Sequence, residues 1–308
     1  MQENDYYNEI KELLVNNEVN KAVKNYSINK SDLETYYNVG KLLTEAGKCY
    51  GEGIIKNYAN RLIKEVGKKY DTSTLYKMRK YYNIFSSEKV APMAPKLTWS
   101  HIIELLPIKD INEFNYYIGI VVKNKLSKYT LRQKIKSKEY DRLSESAKLK
   151  LINNGCLDIK ESIPDPILIN IKSNIDVEHI KEKTLHKAVV ENIEDFMNQL
   201  GSEYTFVGSE YKIMLDKPNY IDILLFNIKY NAYVVVELKT SSLKSEHIGQ
   251  VEKYVNYIDK NKKTIYQNKT IGLIIVKKDN SFVLEYSTDK SIISRTYELN
   301  NKNMLVNS

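Results

Sequence analysis

Two acidic residues stand where an acid is costly. Asp222 interrupts the apolar run Ile221-Asp-Ile-Leu-Leu-Phe226, and in Val234-Val-Val-Glu-Leu-Lys239 Glu237 follows three valines, with Lys239 two positions beyond it. Strand alternation by two puts Glu237 and Lys239 on one face. If the two strands are neighbours, Asp222 comes beside Glu237. Two carboxylates that close repel each other, and burying them unpaired costs several kcal/mol. A divalent cation removes the conflict. Mg²⁺ takes oxygen ligands, keeps several waters, and commonly binds through one or two carboxylates plus substrate phosphates; Mn²⁺ is its expected substitute. A protonated Lys239 cannot be a ligand. It can orient or help activate a water, or steady charge on a phosphate in flight. Such a set suits metal-assisted chemistry at a phosphate.

An isolated Glu-x-Lys on a strand is more often a structural ion pair. The order of the surrounding residues shifts that balance. Glu191 lies in a preceding helix and Glu210 in the strand after it. Asp222, Glu237 and Lys239 follow, and then a helix carries Gln250 and Tyr254, four apart and so on one face. The elements that must position them read as a helix over Leu185–Leu200, strands over Tyr204–Leu215, Tyr220–Asn227 and Ala232–Lys239, a helix from Ser245 to Asp259, and strands over Ile271–Val276 and Phe282–Tyr286. That order predicts an α/β domain around a mixed sheet.

This set resembles the PD-(D/E)xK nucleases, the fold of many restriction endonucleases. It is more closely similar to the YhcG family, through Glu191-Asn-Ile-Glu-Asp-Phe-Met-Asn-Gln-Leu-Gly201, Tyr204-Thr-Phe-Val-Gly-Ser-Glu210, Tyr220-Ile-Asp-Ile-Leu-Leu-Phe226, Val234-Val-Val-Glu-Leu-Lys239 and Gly249-Gln-Val-Glu-Lys-Tyr254. The first half resembles that family's own N-terminal domain at Tyr36-Tyr-Asn-Val-Gly40, Tyr50-Gly51, Met78-Arg-Lys-Tyr-Tyr82 and Trp99-Ser-His101. The resemblance implies that Asp222, Glu237 and Lys239 form the nuclease motif, with Asp222 and Glu237 on the metal. It places Gln250 and Tyr254 on the helix behind them, and makes Glu191 an acid of the first helix that reaches the metal through a water. The proline of the motif's name is absent, since Ile221 precedes Asp222.

The first half reads as helices throughout. Ser31-Asp-Leu-Glu34 is a capping box, Asp71 and Thr98 are helix starts, and further helices run from about Gly53 to Tyr70, from Asp110 to about Lys125, and from Thr130 onward. It also holds the basic excess of the chain. Residues 1–150 carry 27 Lys/Arg against 18 Asp/Glu, and residues 151–308 carry 20 against 21. A basic domain joined to a neutral one points to a polyanion. Lys77, Arg79 and Lys80 on one helix are candidate phosphate contacts, and Lys128, Arg132, Lys134, Lys136 and Lys138 on another are a second set. A short turn before Asp71 allows a helix-turn-helix, although a plain bundle gives the same pattern.

The expected organisation is therefore a helical basic domain over 1–145, a connector over 146–182 around Pro164-Asp-Pro166, and a nuclease-like α/β domain over 183–300. The expected function is Mg²⁺-dependent cleavage of nucleic acid, DNA before RNA, with a homodimer compatible with that reading. The alternatives are a protein that binds nucleic acid through a nuclease-like core without cutting, and an interaction module using the sheet as scaffold. Cys49 and Cys156 are too far apart for a CxxC site, and the four histidines, His101, His179, His186 and His247, have no metal-ligand spacing, with His247 alone expected near the site. No leader segment and no membrane span is read from the chain, so a cytoplasmic location is expected.

Overall fold

The computed structural model describes residues 2–23, 28–87, 97–153, 155–171, 180–201, 203–280, 283–284 and 290–301. They form two compact units, 1–136 and 137–308.

The first unit is helical: α1 (Glu3–Val23), α2 (Ile28–Tyr50), α3 (Gly53–Glu65), α4 (Thr72–Phe85), α5 (Trp99–Leu105), α6 (Ile111–Asn124) and α7 (Lys128–Lys136). Many of its tyrosines serve the core. Tyr7, Tyr58, Tyr70 and Tyr117 are fully buried. Tyr37 packs edge-on against Tyr81 and Tyr82, and Tyr81 against Trp99. The α2–α4 crossing depends on Gly40, where an added Cβ would lie 2.2 Å from the Met78 carbonyl oxygen. The expected starts at Asp71, Thr98 and Asp110 are N-caps, each accepting a hydrogen bond from a first-turn amide. The capping box at Ser31 is not a start, because α2 already runs from Ile28 and carries Ser31 inside it. The helix expected to reach Tyr70 stops at Glu65, since Val66 leaves helical geometry and Gly67 has a positive φ of 159°. Replacing Asp71 with Ala removes the bond from the Thr74 amide (2.7 Å) and should lower stability by about 1 kcal/mol, read as a shift in the urea midpoint.

The second unit contains α8 (Glu145–Ile152), α9 (Ile159–Ser162), β1 (Ile167–Ile171), α10 (Glu182–Glu191), α11 (Ile193–Leu200), β2 (Tyr204–Met214), β3 (Pro218–Asn227), β4 (Ala232–Ser242), α12 (Ser245–Asn261), β5 (Ile271–Lys278) and β6 (Ile292–Asn301). One six-stranded sheet has the order β1-β6-β5-β4-β3-β2. The β2-β3-β4 part is antiparallel, and β4-β5-β6-β1 is parallel. Residues of α10 and α11, such as Leu185, Val189 and Phe196, cover one face together with Ile223, Leu225, Val234 and Val236. Residues of α12, such as Val251 and Val255, cover the other with Leu224, Val235 and Ile274. Gly272 lets α12 come close: a Cβ there would lie 2.4 Å from Val251.

Three sequence expectations change here. The stretch 146–182 holds α8, α9 and β1, and β1 pairs in parallel with β6 from Ile167↔Tyr297 to Ile171↔Asn301. Its five residues bury alternately, which a short run beside two prolines hides from pattern reading. The single helix over 185–200 is two, broken at Asn192 (φ −123°, ψ 38°), whose side-chain amide donates to the Ala188 carbonyl at 2.9 Å. The strand expected over 282–286 is not the one found beside β5. Val283 and Leu284 are helical, the other residues of that stretch lie outside the described ones, and the strand that pairs with β5 is β6.

Candidate active site

The site forms where the sheet opens. The β3–β4 ladder runs from Asn227↔Ala232 to Ile223↔Val236 and stops there. One position further Asp222 stands across from Glu237, and the strands no longer pair. On the other side of β3, Ser209↔Ile223 and Tyr211↔Ile221 are paired, while Glu210 between them has a left-handed φ of 45°. The β4 ladder therefore gives out at Asp222, while the β2 ladder skips this one position and runs on to Met214↔Pro218. The Asp222 carboxylate takes over part of the lost pairing, with Oδ2 accepting from the Leu238 amide at 2.8 Å.

Glu237 lies at the same fork, 2% exposed. Its Oε1 accepts from Lys239 Nζ and from Gln250 Nε2, each at 2.9 Å. Gln250 also donates to Tyr254 Oη at 2.9 Å. The sequence-expected set Asp222, Glu237, Lys239, Gln250 and Tyr254 is thus gathered in one place: two strands supply the charges and one face of α12 supplies the amide and phenol. The other carboxylate oxygen, Glu237 Oε2, is buried and has no hydrogen-bond partner among the described residues. An acceptor left that way costs free energy in a folded chain.

Electrostatics at the fork follow from burial and crowding. Burial first, then the charge on Asp222, push the Glu237 carboxyl up to about 7. Burial also raises Asp222, against the Leu238 amide that favours its anion. Burial alone would lower the Lys239 ammonium, but Glu237, Glu182 and Asp222 outweigh it and hold it above its ordinary value. Lys239 is therefore a cation at neutral pH rather than a base.

Two residues at the fork escaped the sequence reading. Glu182, at the start of α10, places Oε2 3.7 Å from Lys239 Nζ. His186, one turn on, places Nε2 3.1 Å from the Asp222 carbonyl oxygen. Their spacing of four was the available signal, but only the docking of α10 shows which of its faces matters. That docking bears on Glu191. It is nine positions beyond Glu182, and at roughly 100° per residue that is the opposite side of the helix. Its carboxylate lies 3.8 Å from Lys187 Nζ. Among the described residues no three such side chains are placed to hold one metal ion together, so the structure does not add Glu191 to the acid pair as a third ligand. Glu210 is exposed. His247 is buried and caps α12, its Nδ1 accepting from the Lys244 amide at 3.2 Å. His179 lies outside the described residues.

Of the basic candidates in the first unit, the two arginines are engaged. Arg79 pairs with Glu52, and Arg132 forks onto Glu104 at 2.9 and 2.7 Å, with Lys128 3.7 Å from the same carboxylate. Lys80 and Lys136 are exposed on α4 and α7, and Lys77 and Lys134 are half-buried.

Residues 160–305 match the family described as the YhcG PDDEXK nuclease domain, and residues 9–142 match the DUF1016 N-terminal domain. The chain belongs to the YhcG family. The YhcG relative from Escherichia coli strain K12, named "Putative nuclease YhcG", is 22% identical over 292 residues, covering 81% of this chain and 77% of its own. Two solved structures are similar over 41% of the chain: a repair endonuclease from Pyrococcus abyssi (TM-score 0.30, 16% identity) and the EndoMS-dsDNA2 complex (TM-score 0.31, 18% identity). The chain spans about half the length of each, 50% and 49%. The YhcG domain is a nuclease domain of the PDDEXK type, a type that uses divalent metal ions. The donor set here fits such an ion: two carboxylates at one opening, one with a buried oxygen lacking a partner. Among the described residues no helix is long and apolar enough to cross a membrane.

Proposed function

We propose that this YhcG-family chain hydrolyses phosphodiester bonds in DNA with Mg²⁺ as its metal and Mn²⁺ as a substitute. The observation that carries this reading is the partnerless Glu237 Oε2 beside Asp222, both carboxyls raised by burial. Asp222 and Glu237 would hold the cation. When bound, the ion supplies positive charge that relieves the acid pair and polarises the phosphodiester. Lys239 stays protonated and stabilises negative charge growing on the phosphate. Gln250 fixes the Oε1 side of Glu237, leaving Oε2 for the ion. Tyr254 orients Gln250, and Glu182 keeps Lys239 at the mouth of the fork. The test is purified full-length protein with Mg²⁺ or Mn²⁺ on duplex, single-stranded and branched DNA and on RNA. Metal-dependent cleavage of a DNA substrate is expected. Binding without cleavage under either ion would favour the non-cutting alternative.

The basic first unit supports phosphate-directed binding through lysines such as Lys80 and Lys136, with specificity for sequence left to other groups. Duplex binding by the full chain, measured in chelator, should weaken steeply as salt rises, because each neutralised phosphate releases counterions. Binding that ignores salt would instead assign this unit to protein contacts.

A further inference from the structure

We infer that His186 is a positioning residue for the metal site, acting on Asp222 through the strand backbone. The inference rests on the metal-dependent reading above and goes beyond it by assigning a residue on a third element. A carbonyl oxygen only accepts, so the 3.1 Å contact between His186 Nε2 and the Asp222 oxygen has the imidazole as donor. This carbonyl lies where the sheet cannot serve it. The β3–β4 ladder ends at Ile223↔Val236, and across from Asp222 on β2 the left-handed Glu210 falls between two paired positions without pairing. The sheet holds Asp222 only through its neighbours Ile221 and Ile223, which pair with β2, and gives it no β4 partner of its own. Asp222 is tied at two points instead: its carboxylate to the Leu238 amide of β4, and its carbonyl to His186 of α10. The first tie sets its distance from Glu237, and the second fixes the peptide from which the carboxylate projects.

The face of α10 that carries His186 also carries Glu182, which reaches Lys239. The buried positions of the helix, Leu185, Ala188 and Val189, anchor it on the sheet independently of both. His186 is half-exposed, so its ring contributes little to that anchoring. Groups that orient a metal-binding side chain without touching the ion typically affect affinity by about ten- to a hundredfold.

The experiment uses the full-length chain with His186→Gln and His186→Asn. The Gln amide nitrogen reaches about as far from the backbone as Nε2, whereas the Asn amide stops at the level of Nδ1. Mn²⁺ affinity is measured by calorimetry, cleavage is followed as Mn²⁺ is titrated, and melting without metal is recorded alongside. The expected result is an H186Q variant within about threefold of the parent in Mn²⁺ affinity. H186N should be weakened about ten- to a hundredfold, with the Mn²⁺ needed for half-maximal cleavage rising in step and both variants melting together. Equal Mn²⁺ affinity for parent, H186Q and H186N overturns the positioning role while leaving the metal reading in place. Equal weakening of both variants also overturns it, since then the ring and not its donor matters. A parent that binds no Mn²⁺ overturns the metal reading itself, and the inference with it.

Discussion

Lys239→Ala should reduce cleavage by roughly 10²–10³-fold at saturating metal while Mn²⁺ binds as tightly as to the parent, or more tightly. The ammonium lies 2.9 Å from Glu237 Oε1 and is held in its charged form by Glu237, Glu182 and Asp222. It competes with a second cation for the same carboxylate, so removing it does not weaken metal binding. What disappears is a fixed positive charge at the point where negative charge grows on the phosphate, and that loss is felt in the transition state. Asp222→Ala should behave in the opposite way. It removes a ligand and frees the Leu238 amide, so metal affinity falls along with rate, and excess Mn²⁺ restores part of the rate. Calorimetric Mn²⁺ titration beside metal-titrated cleavage separates the two patterns. If both variants cut like the parent, the activity does not come from this fork.

The second large effect is on stability in the absence of metal. Glu237 titrates at about 7 in the folded chain, against an ordinary 4.5. Between those values the folded state holds a proton that the unfolded state has released. Folding is therefore favoured below about 4.5, and this contribution is lost as pH rises towards 7. The shift corresponds to on the order of 3 kcal/mol. In Glu237→Gln the titrating group is gone. Between pH 4.5 and pH 8 the stability difference should move in favour of the variant by about 2–3 kcal/mol, measured by urea unfolding in chelator. Mg²⁺ should then stabilise the parent at pH 8 and leave the variant unchanged, because ligands that bind only the folded state add stability in proportion to occupancy. A difference independent of pH would mean that Glu237 is ionised in the metal-free fold and already compensated.

The chain's residue types already announced the central chemistry. Asp222 and Glu237 could be picked out because a carboxylate within Ile, Leu and Val on a strand has few structural uses, and period two put Lys239 beside Glu237. Period four likewise paired Gln250 with Tyr254, and they share a hydrogen bond. The caps Asp71, Thr98 and Asp110 were legible because capping is settled within four residues. Tertiary structure decided the rest. β1 lies along β6, although Ile167 and Tyr297 are 130 positions apart, and nothing local in either strand records the partner. The docking of α10 chose Glu182 and His186 over Glu191, since a helix shows several polar faces and only the packing of Leu185 and Val189 selects one. Arg79 and Arg132 were singled out as basic, yet Glu52 and Glu104 come from other elements to meet them. The opening at Asp222 is of the same kind. Side-chain chemistry is written residue by residue, but where a ladder stops depends on how two strands twist apart in the folded sheet.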